Sequence, residues 1–228
     1  MAKDKCIADF LFEQGFNTPP SERVARETLI AGGLTNSTKR NICSDKLRRA
    51  QEMLALSLFR ACSDHRCQLL ATLEAGTRRV VTVADAGCQI CGGKKARRSV
   101  AWAAYRLGLM GINRVLVIGG TPAEHDEISK HVRSRGSGRD RGRGGSPGQA
   151  AMEFRFVDGT RPGRASEAAA ALMRWADLVV IWANAPLKHS VSATYAACAA
   201  GCREHARLVY ASCTGAAAML DQVVSGIA

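Results

Sequence analysis

From Asn113 onward the chain repeats one pattern, a short apolar run, a polar turn and then a helical stretch. The apolar runs are Val115-Leu-Val-Ile118, Met152 to Val157, Leu178-Val-Val-Ile-Trp182 and Arg207-Leu-Val-Tyr210. The clearest of them are continuously apolar rather than alternating, which is the signature of strands covered on both faces. Parallel neighbours need long crossover connections, and helical segments supply them here. One begins at Pro122, in the favourable first-turn position for proline, and reaches Val132. Others cover residues 165–175 and 189–200, and the last begins at Thr214. The expected fold is α/β, with an open, mostly parallel Rossmann-like sheet over residues 94–228. A helical N-terminal region over residues 1–93 precedes it.

In that N-terminal region, Thr18-Pro19-Pro20 reads as a boundary and Ser21 as the N-cap of a short helix ended by Gly32-Gly33. A longer helix is expected from Lys46 to Cys62. Leu47, Leu54, Leu58 and Ala61 form its apolar face, and Lys46, Arg48, Arg49 and Glu52 its wet side. This arrangement fits a two-helix packing hairpin or a helix-turn-helix. Arg79 to Val83 reads as a strand, and Lys95 to Leu109 as a helix closed by Gly111. Residues 134–149, dominated by Gly, Ser and Arg, hold too little apolar surface to offset chain entropy and read as a disordered insertion.

The strongest chemical signal is a cysteine set. Of nine cysteines, Cys62 and Cys67 form one close pair, and Cys88 and Cys91 form a second. Each pair can present two sulfurs from one turn, and the intervening segment lets the turns converge on one ion. Gly92-Gly93 follows the second pair, as in zinc knuckles, where the chain must curl beneath the sulfurs. The expected cofactor is structural Zn2+. Plain burial of thiols and a disulfide-exchange role for Cys88 and Cys91 are the alternatives, and His65 can stand in for one cysteine.

Charge points to the partner. The formal net charge is +12. Residues 71–100 hold six Lys or Arg against two Asp or Glu, and residues 133–149 hold five Arg against one Asp. Clustered cations of this kind attract polyphosphates. Lys94, Lys95, Arg97 and Arg98 crowd a helix N-terminus, where the dipole is already positive, so a neutralising anion is expected there. With Arg135, Arg139, Arg141 and Arg143 they form the candidate nucleic-acid contacts. A protein partner or homo-oligomer and a small anionic ligand are the other partners considered.

Strand ends supply a second candidate site, because ligands of open α/β sheets collect at their carboxyl ends. The rim there reads Gly119, Gly120, Thr121; Asp158, Gly159, Thr160, Arg161; Asn184, Lys188, His189; and Ser212 with Thr214. It suits an anion, with His189 as a candidate acid/base and Asp158 as its orienting group. Gly119-Gly120-Thr121-Pro122 lacks the G-x-G-x-x-G spacing of a dinucleotide site, and no P-loop is present. No apolar run approaches the roughly 20 residues of a membrane span. The segment from Met1 to Cys6 also lacks the apolar stretch of a secretory signal, so a cytoplasmic protein is expected.

Taken in order, Val117-Ile-Gly-Gly120, Val157-Asp158-Gly159, Trp175-Ala-Asp177-Leu-Val-Val-Ile181 and Lys188-His189-Ser190 resemble the bacterial domain-of-unknown-function family numbered 2325. The resemblance covers roughly residues 113–224. It implies a small Rossmann-like domain and no particular activity, and the insertion at 134–149 departs from the family's compact pattern. The expected function is a zinc-stabilised basic accessory protein that contacts nucleic-acid backbone. The alternatives are an enzyme or sensor for a nucleotide or phosphorylated small molecule, and a structural subunit that docks an acidic protein.

Overall fold

The computed structural model describes residues 4–136, 152–159, 166–183, 187–189, 191–195 and 207–227. The chain divides into two compact units, Met1–Arg98 and Ser99–Ala228.

In the first unit β1 (Lys5–Cys6) pairs antiparallel with β2 (Asn41–Ile42). Between them lie α1 (Ile7–Glu13) and α2 (Pro19–Ala31). The N-cap of α2 is Thr18, not Ser21, and the two prolines occupy its first turn. The N–H that proline lacks has no intrahelical partner at that position, so the pair starts the helix instead of blocking it. Thr18 and Ser21 cap each other reciprocally, and the Thr18 hydroxyl also donates to the Thr82 carbonyl at 3.2 Å.

The expected helix from Lys46 to Cys62 is a helix followed by a strand. After a short 3-10 turn, α3 spans Leu47–Ser57, and β3 takes over at Leu58–Ala61. Leu58 and Ala61 keep helical spacing with Leu54, which hid the change. Pairing with β4 (Arg79–Thr82) decides it: the two strands run parallel, from Leu58 opposite Arg79 to Ala61 opposite Thr82. Their connection is α4 (His65–Glu74). This helix buries Cys67, Leu70 and Ala71 but exposes Leu69 and Leu73, so it carries no clean apolar stripe. The N-terminal unit is therefore mixed α/β rather than helical, and β2 and the 3-10 turn stand between α2 and α3 where a tight helix-turn-helix was considered.

In the second unit a four-stranded sheet has the order β6-β5-β7-β8, all neighbours parallel. The strands are β5 (Arg114–Ile118), β6 (Glu153–Val157), β7 (Leu178–Trp182) and β8 (Arg207–Ala211). From central β5 the chain moves outward to β6, then returns to β5's other side for β7 and β8. Side chains of β5 alternate between two cores. Val115 and Val117 pack with Ala103 and Leu107 of α5 (Lys95–Leu109), Ile128 of α6 (Pro122–Gly136) and Leu220 of α8 (Ala216–Ile227). Leu116 and Ile118 pack with Ala169 and Met173 of α7 (Ser166–Trp175), and with Val191 and Tyr195. Both faces of β5 and β7 are thus covered, which explains their continuous apolar runs, whereas edge strand β8 leaves Leu208 and Tyr210 exposed.

Helix α6 continues past Val132 into the start of the Arg/Gly-rich stretch, and residues 137–149 lie outside the described ones. Thr214 precedes the final helix by two positions, with Gly215 at φ 83° between them and α8. At the opposite end of the sheet, Asp177 ties β5 to β7. Its carboxylate accepts from the backbone amides of Asn113 at 3.0 Å and Arg114 at 2.9 Å, and from the Arg114 guanidinium. The hydrogen bonds from Arg114 hold this carboxyl below the usual aspartate range.

Candidate metal centre

The carboxyl ends of β3 and β4 deliver the cysteines. Cys62 directly follows β3, and Cys67 lies in the first turn of α4. Cys88 and Cys91 lie in a knuckle after β4, built on a 3-10 turn at Asp85–Gly87. The knuckle is held by its own backbone, with Gly92 N–H donating to Cys88 O at 2.8 Å and Lys94 N–H to Cys91 O at 3.0 Å. Gly92 at φ 54° and Gly93 at φ 75° make the left-handed bend, which a residue with a Cβ adopts only under strain.

All four thiols are buried and free, and their sulfurs lie within 4.8 Å of one another. Cys62 and Cys91 are 3.8 Å apart, Sγ to Sγ. A tetrahedron with metal–sulfur bonds of about 2.3 Å has edges of about 3.8 Å. The spacing therefore fits one ion held by four thiolates. A four-iron cluster would spread its cysteines wider, since each binds a different iron. His65 is exposed and stands outside the set.

Protons are unevenly shared among the thiols. Burial pushes Cys62 up to about 11. Cys67 donates to Cys88, which raises Cys67 strongly and holds Cys88 down at about 4. A buried set of four sulfurs cannot carry four negative charges alone. A divalent cation makes that charge tolerable, and Arg98 is placed to offset the remainder.

Arg98 is the residue whose role the sequence hid. Its Nη2 lies 3.7 Å from Cys91 Sγ and 4.0 Å from Cys62 Sγ. Its Nη1 donates to Asp64 Oδ2 at 2.8 Å, and Nη2 lies 3.5 Å from Asp85. Asp64 is also the N-cap of α4, accepting from the amides of Arg66 and Cys67. One carboxylate therefore orients both a ligand-bearing helix and the guanidinium above the sulfurs. Gln68 Nε2 donates to Cys62 O at 2.7 Å, fixing the first cysteine's backbone. A cap reading of Asp64 ahead of His65 was available in the sequence; the pairing with Arg98 was not.

The basic run at 94–98 is thus divided. Lys94 and Lys95 are exposed, whereas Arg97 turns back to donate to Gln89 O at 2.9 Å and Arg98 covers the cysteines. Arg135 lies in α6 near its C-terminal end, and Arg139, Arg141 and Arg143 are outside the described residues.

At the strand-end rim, turn and cap chemistry uses most of the groups described. Thr121 gives its amide and hydroxyl to Glu124 at 2.8 and 3.0 Å, while Glu124 N–H lies 3.4 Å from Thr121 Oγ1. This is a capping box for α6, readable as Thr121-Pro-Ala-Glu124. Gly119 and Gly120 have φ of 104° and 82°, and a Cβ on either would stand 2.8 Å from Trp182. The buried His125 ring reaches Gly119 O at 2.7 Å and stacks on Phe156. In the crevice at the carboxyl ends of β5 and β7, the Trp182 indole and the His125 ring accordingly stand against Gly120. Lys188 and His189 are exposed, Lys188 N–H donates to Gly159 O at 2.8 Å, and Asp158 is half-buried. Ser212 bonds Gln222. Thr160, Arg161 and Asn184 are outside the described residues.

Among the described residues no helix is long and apolar enough to cross a membrane. No protein-family model, curated protein or solved structure matches the chain.

Proposed function

We propose that the first unit is a zinc-stapled basic module that binds nucleic-acid backbone, joined to a Rossmann-like half. Four buried thiolates at tetrahedral spacing suit Zn2+, which has no redox chemistry and accepts a closed sulfur set. A closed set leaves no position for water, so the metal's work is structural. For the second unit, the order second-first-third-fourth, counted along its own strands, is that of the first four strands of a flavodoxin-like doubly wound sheet.

The observation that carries the binding reading is the exposure of Lys94 and Lys95 directly after the metal knuckle. The staple holds the backbone beneath them, so two cations are presented from an ordered turn at little entropic cost. Trp182 in the strand-end crevice weighs against the nucleotide-enzyme alternative.

The test is fluorescence anisotropy of labelled duplex and single-stranded oligonucleotides across salt concentrations. The double substitution Lys94→Gln, Lys95→Gln should lower affinity similarly for unrelated sequences, because phosphate contacts carry no sequence information. The slope of log affinity against log salt should shrink by roughly 1.8 for duplex DNA if both cations meet a phosphate. Unchanged binding in a variant that keeps its metal would sink the reading.

A further inference from the structure

Beside the cysteine knuckle, on the first unit, lies an open groove of about 490 Å³. Arg60, Gln89 and Arg97 line it, with three glycines, Gly15, Gly87 and Gly92. Arg60 and Arg97 are far apart in sequence, and Gln89 places both. Its side-chain oxygen accepts from Arg60 N–H at 2.7 Å, and its own N–H donates to Arg60 O at 2.9 Å. Its carbonyl accepts from Arg97 Nη2 at 2.9 Å.

Neither guanidinium is spent. Arg60 lies over the Phe16 ring at 5.2 Å and gives only Nε to Gly87 O, at 3.3 Å. Its two terminal nitrogens have no partner among the described residues. Arg97 Nε is buried without a hydrogen-bond partner. The lining carboxylate, Glu13, is paired with Lys5, and Cys88, which also reaches the groove, belongs to the four-cysteine set whose charge a metal ion would take up. The glycines keep the wall low where the arginines lie. A Cβ at Gly15 would stand 2.9 Å from Arg60 Nε, one at Gly92 3.1 Å from Arg97 Nη1, and one at Gly87 2.4 Å from Gly15 O.

The geometry points to a seat for one phosphate group, gripped by the Arg60 and Arg97 guanidinium forks and presented by a nucleic-acid backbone. Guanidinium forks match phosphate oxygens in pairs, and stacking on Phe16 pre-orders one of them. This assignment rests on the backbone-binding reading above and adds to it the two side chains that hold the phosphate. Lys94, which closes the knuckle, and Lys95, the first residue of α5, then meet neighbouring phosphates.

The experiment compares Arg60→Met, Arg97→Gln and the Lys94→Gln, Lys95→Gln variant, each checked for metal content. Arg60→Met keeps an apolar stem over Phe16 and leaves the backbone bonds to Gln89 untouched. Each arginine substitution should weaken binding of a labelled single-stranded oligonucleotide roughly tenfold, as loss of charged hydrogen bonds does. Each should also lower the salt slope by roughly 0.7. If the lysine variant binds weakly and the arginine variants bind like the parent, the seat is overturned and the backbone reading stands. If the parent binds no oligonucleotide, that reading fails, and inorganic phosphate decides the seat. Amide NMR shifts at Gly87, Gln89 and Gly92 on phosphate titration, abolished by Arg97→Gln, uphold it as a free-phosphate site; their absence overturns it. Should Arg60→Met lose its metal, Arg97→Gln carries the comparison.

Discussion

In the first unit, the parallel pair β3–β4 has only two strands, and β4 leaves Arg79 and Thr82 exposed. In the second, β5 and β7 lie inside a four-stranded sheet, and every residue of β7 is buried. Two parallel strands bury too little apolar surface to hold one another, and an isolated pair is marginal in water. The four-cysteine cluster sits at the carboxyl ends of the weaker pair, where a bound metal ion would contribute what the small sheet cannot. The larger sheet has a core on each face and needs no such staple. We propose that the same local geometry is stabilised by coordination chemistry in one unit and by burial in the other.

The largest effect expected is on the metal. Cys91→Ser, or a strong chelator, should remove on the order of 10 kcal/mol of coupled folding free energy from the first unit. Hydrogen exchange should then show β3 and β4 amides losing protection while β5 and β7 amides keep theirs. Equal loss in both units would break the contrast. Purified protein should hold one zinc per chain by elemental analysis.

Trp182→Ala is the reciprocal perturbation. The indole is fully buried, fills the space beside Gly120, and donates to Cys213 O at 2.6 Å. Its removal should cost about 3–5 kcal/mol, read as faster exchange in β5 and β7 with metal stoichiometry unchanged.

A smaller effect belongs to the first unit again. Thr18→Ala removes the cap of α2 and the bond to Thr82, and should lower that unit's stability by about 1 kcal/mol in urea melts. A change confined to the second unit would contradict the assignment.

The smallest concerns acid. Because Arg114 lowers the Asp177 pKa, the stability it contributes is present above the unfolded value of about 3.9 and is lost as pH falls toward the folded one. Arg114 is half-exposed, so solvent screening keeps the effect small. Asp177→Asn should flatten the second unit's stability curve below about pH 5. The first unit should fail at higher pH, since protons compete with metal for the thiolates.

Much of this was legible in the residues themselves. The apolar runs at 115–118 and 178–182 announced buried parallel strands, because period and composition are local properties of a covered strand. The cysteine spacing announced the centre, because two turns with paired sulfurs are a local requirement of tetrahedral coordination. Tertiary structure alone decided the rest. Leu58 to Ala61 became a strand only because β4, some twenty residues on, offered backbone partners. Arg98 became the cysteines' counter-charge because Asp64, thirty-four residues earlier in the chain, fixed its guanidinium. Trp182 closed the crevice at Gly119-Gly120 because β5 and β7 lie side by side. Periodicity and spacing report what a segment prefers by itself; which partner satisfies a backbone edge or a buried charge depends on residues distant in the chain and adjacent only after folding.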